Sequence, residues 1–206
     1  MTYMIYALLA AAGYLCGCSN LAYFLAKARG FDIRTRGSNN AGASNATVTM
    51  GLKAGVAVAI HDAAKAFLPA LAASLLFPSL PLAGAVVGVA AVLGHIFPFY
   101  LGFQGGKGFA SFLGMVLALD WQFFFAILLA ALLITLITDY IAIATLTTAI
   151  SFPTYLFFFR QAGWLIVSVI CIATLVILCK HAINIRRIVT GQEIGLRRAM
   201  TKKDRV

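Results

Sequence analysis

Apolar residues in this chain gather into long runs, with polar and charged residues collected between them. A helix crossing roughly 30 Å of hydrocarbon takes about 20 residues, and residues 3–26, 52–76, 80–101, 140–159 and 164–178 reach or approach that length. The stretch 109–137 is too long for one ordinary span and is interrupted by Asp120, Trp121 and Gln122. A helical hairpin turning there brings the expected number of spans to seven, in a chain expected to be all-α.

Composition agrees with that pattern. Of 206 residues 62% are hydrophobic and 11% charged, against about 45–50% apolar in soluble domains, so the expectation is an integral membrane protein forming one polytopic domain over 1–206. The first twelve residues carry no Lys or Arg ahead of their apolar run, and Lys27, Arg29, Arg34 and Arg36 follow it. A retained helix fits better than a cleaved signal peptide. With seven spans, Lys27, Arg29, Arg34, Arg36, Lys53, Lys107, Lys180, Arg186, Arg187, Arg197, Arg198, Lys202, Lys203 and Arg205 share one side, opposite Arg160. The positive-inside rule makes that side the cytosol, with the N-terminus outside and a basic cytosolic tail over 183–206.

The net charge of +10 therefore marks topology and meets anionic lipid headgroups. No aromatic-interleaved basic pattern points to nucleic acid. Cys16, Cys18, Cys171 and Cys179 sit inside apolar runs without the spacing of a zinc site or a disulfide framework, and read as small buried hydrophobes. Neither a metal nor a cofactor is expected.

Three polar constellations fall on the cytosolic side. The first, 34–47, is rich in Gly, Ser and Asn, with Ser38 and Asn45 among its polar groups. It is either a solvent loop or a polar pocket floor. In the second, Gly105-Gly106-Lys107-Gly108, Leu101 and Gly108 stand where a nucleotide P-loop needs Gly and Ser or Thr. What remains is a turn, or a phosphate cradle made of N–H groups, the Lys107 charge and the start of a following helix. In the third, His181 and Asn184 are three apart and share a face if the last helix runs on. A histidine there is an interfacial side chain, or a hydrogen-bond donor or proton acceptor at a reacting group. Within the second span Asp62 and Lys65 can pair at i, i+3, either pinning helices or shaping a site from below. His95 reads equally as interfacial or site-forming, and Asp139 as an interfacial carboxylate.

On Gly94-His95, Phe97-Pro98 and Gly105-Gly106-Lys107-Gly108, and on His181, Asn184-Ile185, Arg187, Gly191 and Glu193, the chain resembles the bacterial acyl-phosphate:glycerol-3-phosphate acyltransferase (PlsY) family over nearly its whole length. The resemblance implies a seven-span, N-out protein of the bacterial cytoplasmic membrane. Its implied reaction moves a fatty acyl group from acyl phosphate to the sn-1 hydroxyl of glycerol 3-phosphate, giving lysophosphatidic acid for phospholipid synthesis. Acyl phosphate is already activated, so positioning and charge neutralisation dominate and no covalent nucleophile is required. Gly105, Gly106, Lys107 and Gly108 would hold phosphate, Ser38 and Asn45 would orient substrate, and His181 with Asn184 would act at the reacting centre. Asn39, Ser44 and Val48 replace the family's Gly, Thr and Arg in the first motif, and Asp139 and Ala142 replace an Arg and a Ser around Tyr140. These departures keep open a paralogue with another small acceptor, or a non-catalytic lipid- or phosphate-binding membrane protein.

Overall fold

In hydrocarbon every backbone N–H and C=O needs an internal partner, which favours helices along such apolar runs. The computed structural model describes residues 1–193 together with Gly195 and Arg197. Its helices are α1 (Thr2–Cys18), α2 (Leu21–Ala28), α3 (Ala43–Met50), α4 (Leu52–Leu76), α5 (Ala83–Ile96), α6 (Phe109–Leu119), α7 (Trp121–Thr138), α8 (Ile141–Phe158) and α9 (Trp164–Val189), with short 3₁₀ turns at Ile33–Thr35 and Phe99–Leu101. Among the described residues there is no strand. The tail residues Arg198, Lys202, Lys203 and Arg205 lie outside the described residues.

Among the described residues six segments are long and apolar enough to cross a membrane, with α1 and α2 together as one. The remaining apolar helix, α6, has 11 residues, about half the length that a crossing takes. The expected continuous helix over 3–26 is two helices, because Asn20 stops the first and caps the second. Its Oδ1 accepts the Tyr23 N–H at 2.9 Å while its Nδ2 donates to the Ala41 carbonyl at 3.1 Å. The last helix runs past residue 178 to Val189, carrying His181 and Asn184 with it.

The chain divides into two compact units, Met1–Leu119 and Asp120–Val206. In the first, α1 lies against α5 and α6 against α4. A Cβ on Gly13 or Gly17 would land on the backbone of Val87 or Ala91, and one on Gly114 would land on the backbone of Ala63. Close backbone approach through small residues is how helices associate where lipid supplies no hydrophobic drive. In the second unit α8 packs against α7 and α9. Asp120 begins this unit as the N-cap of α7, accepting the Phe123 N–H at 2.9 Å. Its carboxylate also takes Arg160 at 2.7 Å and the Tyr155 hydroxyl at 3.2 Å. Burial pushes the Asp120 carboxyl up, but these donors together hold it below the usual carboxylate range.

Candidate functional site

The two glycine-bearing loops of the first unit meet. The Ala41 N–H donates to the Gly105 carbonyl at 3.4 Å, and a Cβ on Gly42 would stand 4.0 Å from the Gly106 Cα. Arg34 fastens the same pair of segments, donating from Nη1 to the Leu101 carbonyl at 2.6 Å and pairing with Asp32 at 2.8 Å. That guanidinium holds the Asp32 carboxyl down to about 2, overcoming a smaller upward push from burial.

Within the first loop Asn45 is a clamp. Its Oδ1 accepts the Ser38 N–H at 2.9 Å, and its Nδ2 is shared among the carbonyls of Ile33, Arg36 and Asn40 at 2.8–2.9 Å. A side chain expected to orient substrate is thus engaged by its own loop, whereas the Ser38 residue is exposed. Asn39 has φ +55°, a left-handed conformation that Asn tolerates better than most residues, which accounts physically for Asn where the family carries Gly. Val48 stands on α3, 44% exposed. The buried Oδ1 of Asn40 has no hydrogen-bond partner among the described residues and lies 3.3 Å from the Cβ position of Gly42.

The second loop folds back on the end of α5. Gly105 donates to the Ile96 carbonyl and Gly106 to the His95 carbonyl, each at 3.1 Å. Those two N–H groups are therefore committed to the loop itself and are not turned outward as a cradle. Gly106 matters for its missing side chain, since a Cβ there would collide with the His95 ring. Gly108 takes φ +96°, and α6 starts at the next residue, so the N–H groups offered beside Lys107 are those of the first turn of α6.

Beneath Gly106 the expected Asp62–Lys65 pair forms at 2.8 Å. His95 joins it with Nδ1 2.8 Å from Lys65 Nζ, and His61 touches Asp62 at 3.5 Å and the Ser19 hydroxyl at 3.0 Å. His95 is 3% exposed, which removes the interfacial reading of this residue.

In the second unit His181 and Asn184 are both buried on one face of α9. The His181 Nδ1–H donates to the Ile177 carbonyl at 2.9 Å, so the neutral ring carries its lone pair on Nε2. Asn184 donates to Glu193. The chain brings Glu193 back by turning at Gly191, with φ +69°, just past the end of α9, where the Gln192 and Glu193 N–H groups bond to the Arg187 carbonyl. Asp139 closes α7 at φ +68° and accepts the Arg197 N–H at 2.8 Å. Asn40 was not among the sequence-predicted site residues, and Lys65 and His95 stood there only as separate candidates. Asn40 was signalled by its place in the Gly-Ser-x-Asn motif, whereas nothing local announces the union of His95 with Lys65.

The sequence matches the glycerol-3-phosphate acyltransferase family over residues 7–191. It is 38% identical over 192 residues to the glycerol-3-phosphate acyltransferase of Pseudothermotoga lettingae, covering 92% of this chain and 94% of that protein. The fold is similar to the crystal structure of PlsY (YgiH), an integral membrane glycerol 3-phosphate acyltransferase, in its glycerol 3-phosphate form. The TM-score is 0.87 at 34% identity, over 93% of this chain and 95% of that one. It is similar too to the lysophosphatidic acid form of PlsY, with TM-score 0.84 at 33% identity over 96% and 99% of the two chains. Matched over residues 7–191 and 38% identical to a curated member across 92% of its length, the chain belongs to the glycerol-3-phosphate acyltransferase family.

Proposed function

We propose that this protein transfers a fatty acyl group from acyl phosphate to the sn-1 hydroxyl of glycerol 3-phosphate in a bacterial cytoplasmic membrane, releasing lysophosphatidic acid and inorganic phosphate. The observation that carries the reading is the meeting of the Ser38–Asn45 and Gly105–Gly108 loops in a chain of this family. The acyl carbon gains a bond to the acceptor oxygen and loses its bond to the phosphate oxygen. The hydroxyl proton goes to a substrate phosphate or to Nε2 of His181. Lys107 and the first turn of α6 hold phosphate, Asn40 accepts from a substrate hydroxyl, Ser38 orients the acceptor, and Asn184, steadied by Glu193, acts at the reacting centre. With the short α6 counted as a crossing, the excess of basic residues supports seven crossings with the N-terminus outside and the phosphate loop in the cytosol.

The test is purified protein with palmitoyl phosphate and glycerol 3-phosphate, followed by mass spectrometry for lysophosphatidic acid. Lys107→Ala should raise KM for the phosphate substrate far more than Lys203→Ala. Equal, small effects of the two would remove Lys107 from the site.

A second reading, the same chemistry on another small acceptor, is favoured by Val48 and Asp139, which stand in place of basic residues. Val48→Arg should lower KM for glycerol 3-phosphate, because a guanidinium binds phosphate in a bidentate manner. A loss of activity on the native acceptor instead would favour the second reading.

A further inference from the structure

Asp62, Lys65 and His95 take no part in the reaction just described, yet such groups are expensive inside a membrane protein. Stability alone does not call for them, since apolar residues of similar volume often replace a buried ion pair without loss. Their geometry is specific. Lys65 has three N–H donors and three acceptors around it: Asp62 Oδ1 at 2.8 Å, His95 Nδ1 at 2.8 Å and the Ser19 carbonyl. Nδ1 of His95 faces both Lys65 Nζ at 2.8 Å and Asp62 Oδ1 at 3.4 Å, with Nε2 at the opposite edge of the ring. That edge of the ring lies where a Cβ of Gly106 would stand, and the His95 carbonyl accepts the Gly106 N–H. The chain entering Lys107 is therefore seated on His95 by ring and backbone together.

We propose that Asp62, Lys65 and His95 are positioning residues: from within the membrane-embedded helices they lock the His95 ring and so set the path of the Gly105-Gly106-Lys107 loop that takes phosphate. This rests on reading that loop as the phosphate site. Without Lys65 the ring loses its shortest contact at Nδ1, and the loop loses its floor.

The full chain in nanodiscs is compared as wild type, His95→Phe, His95→Gln and the neutral pair Asp62→Asn/Lys65→Met, which strands no buried charge. Hydrogen exchange of residues 102–109 and steady-state kinetics with palmitoyl phosphate and glycerol 3-phosphate are both read. His95→Phe, and likewise the neutral pair, should speed exchange in that loop at least about tenfold. Either change should also raise KM for a phosphate substrate about tenfold with kcat within about twofold. His95→Gln, which keeps an acceptor for Lys65, should recover most of both. Wild-type loop exchange and KM in His95→Phe or the neutral pair would overturn the proposal, as would a uniform rise in exchange over the whole first unit. A wild type that transfers no acyl group would sink the functional reading, while the loop exchange would still decide the positioning claim.

Discussion

Substituting Asn45 with alanine removes the side-chain bonds to the Ser38 N–H and to the carbonyls of Ile33, Arg36 and Asn40 in one step. A buried neutral hydrogen bond contributes about 1 kcal/mol net, and a buried carbonyl left without a donor costs about 1–3 kcal/mol. Arg36 is exposed and Asn40 half-buried, so water reaches their carbonyls once the amide is gone, whereas the Ile33 carbonyl is bonded in the interior. The closed loop should then lose about 2–4 kcal/mol relative to its open form, raising the open population roughly 30-fold to 1,000-fold. Limited trypsin digestion of the native protein in detergent reads that population directly, because Arg34 and Arg36 lie within the clamped segment. Cleavage after either arginine should accelerate accordingly. Asn45→Asp should do worse than alanine, since it sets a carboxylate oxygen against three carbonyls. Unchanged cleavage in Asn45→Ala together with lost use of glycerol 3-phosphate would refute the clamp and make Asn45 a substrate contact.

Gly106→Ala should impair kinetics severely because its Cβ enters the His95 ring, while Gly102→Ala, with open space around it but φ +62°, should cost only about 1 kcal/mol of stability and leave KM unchanged. A benign Gly106→Ala would mean the loop does not rest on His95. Asp32 is held at about 2 by Arg34, so its contribution is complete above the ordinary carboxylate value and is lost as pH falls toward 2. The apparent unfolding midpoint of the wild type should drop through that window more steeply than that of Asp32→Asn, and parallel curves would dismiss the pair. Arg160→Cys, in a background lacking Cys16, Cys18, Cys171 and Cys179, should react with an impermeant thiol reagent from outside the cell, and a cysteine at Lys203 should not. The reverse pattern would invert the orientation.

Helices were legible wherever lipid dictates them, because an apolar run of sufficient length has few other ways to satisfy its backbone. Asp120 was legible as a stop because a carboxylate ahead of Trp121 and Phe123 can take an orphan N–H, and it does so. Asn20 carried the same signal and was overridden by the greasy residues around it. The pairing of Asp62 with Lys65 follows from helical spacing, but His95 lies on another helix, and no local periodicity reports a contact across 30 residues. The loops were harder to read. Gly, Ser and Asn left the first one as either a solvent loop or a pocket floor, and nothing in that composition shows that the Asn45 amide binds its own loop together. The N–H groups of Gly105 and Gly106, expected to face an anion, pair with the end of α5, a consequence of the reversal after Pro98 that composition does not reveal.

The stop at Ser19 has a bearing on how freely this protein's parts can be exchanged. An uninterrupted helix keeps its carbonyls for its own turns, whereas the break before Asn20 leaves the Ser19 carbonyl facing outward, and Lys65 of α4 takes it. The leading segment is thus more than a generic tether. A chimera that replaced residues 1–28 with an unrelated apolar helix would insert as readily and still deprive Lys65 of an acceptor. The interruption also ties that segment to the first loop through Asn20 and Ala41. A single irregular step in the backbone makes the opening helix part of the machinery rather than an interchangeable anchor.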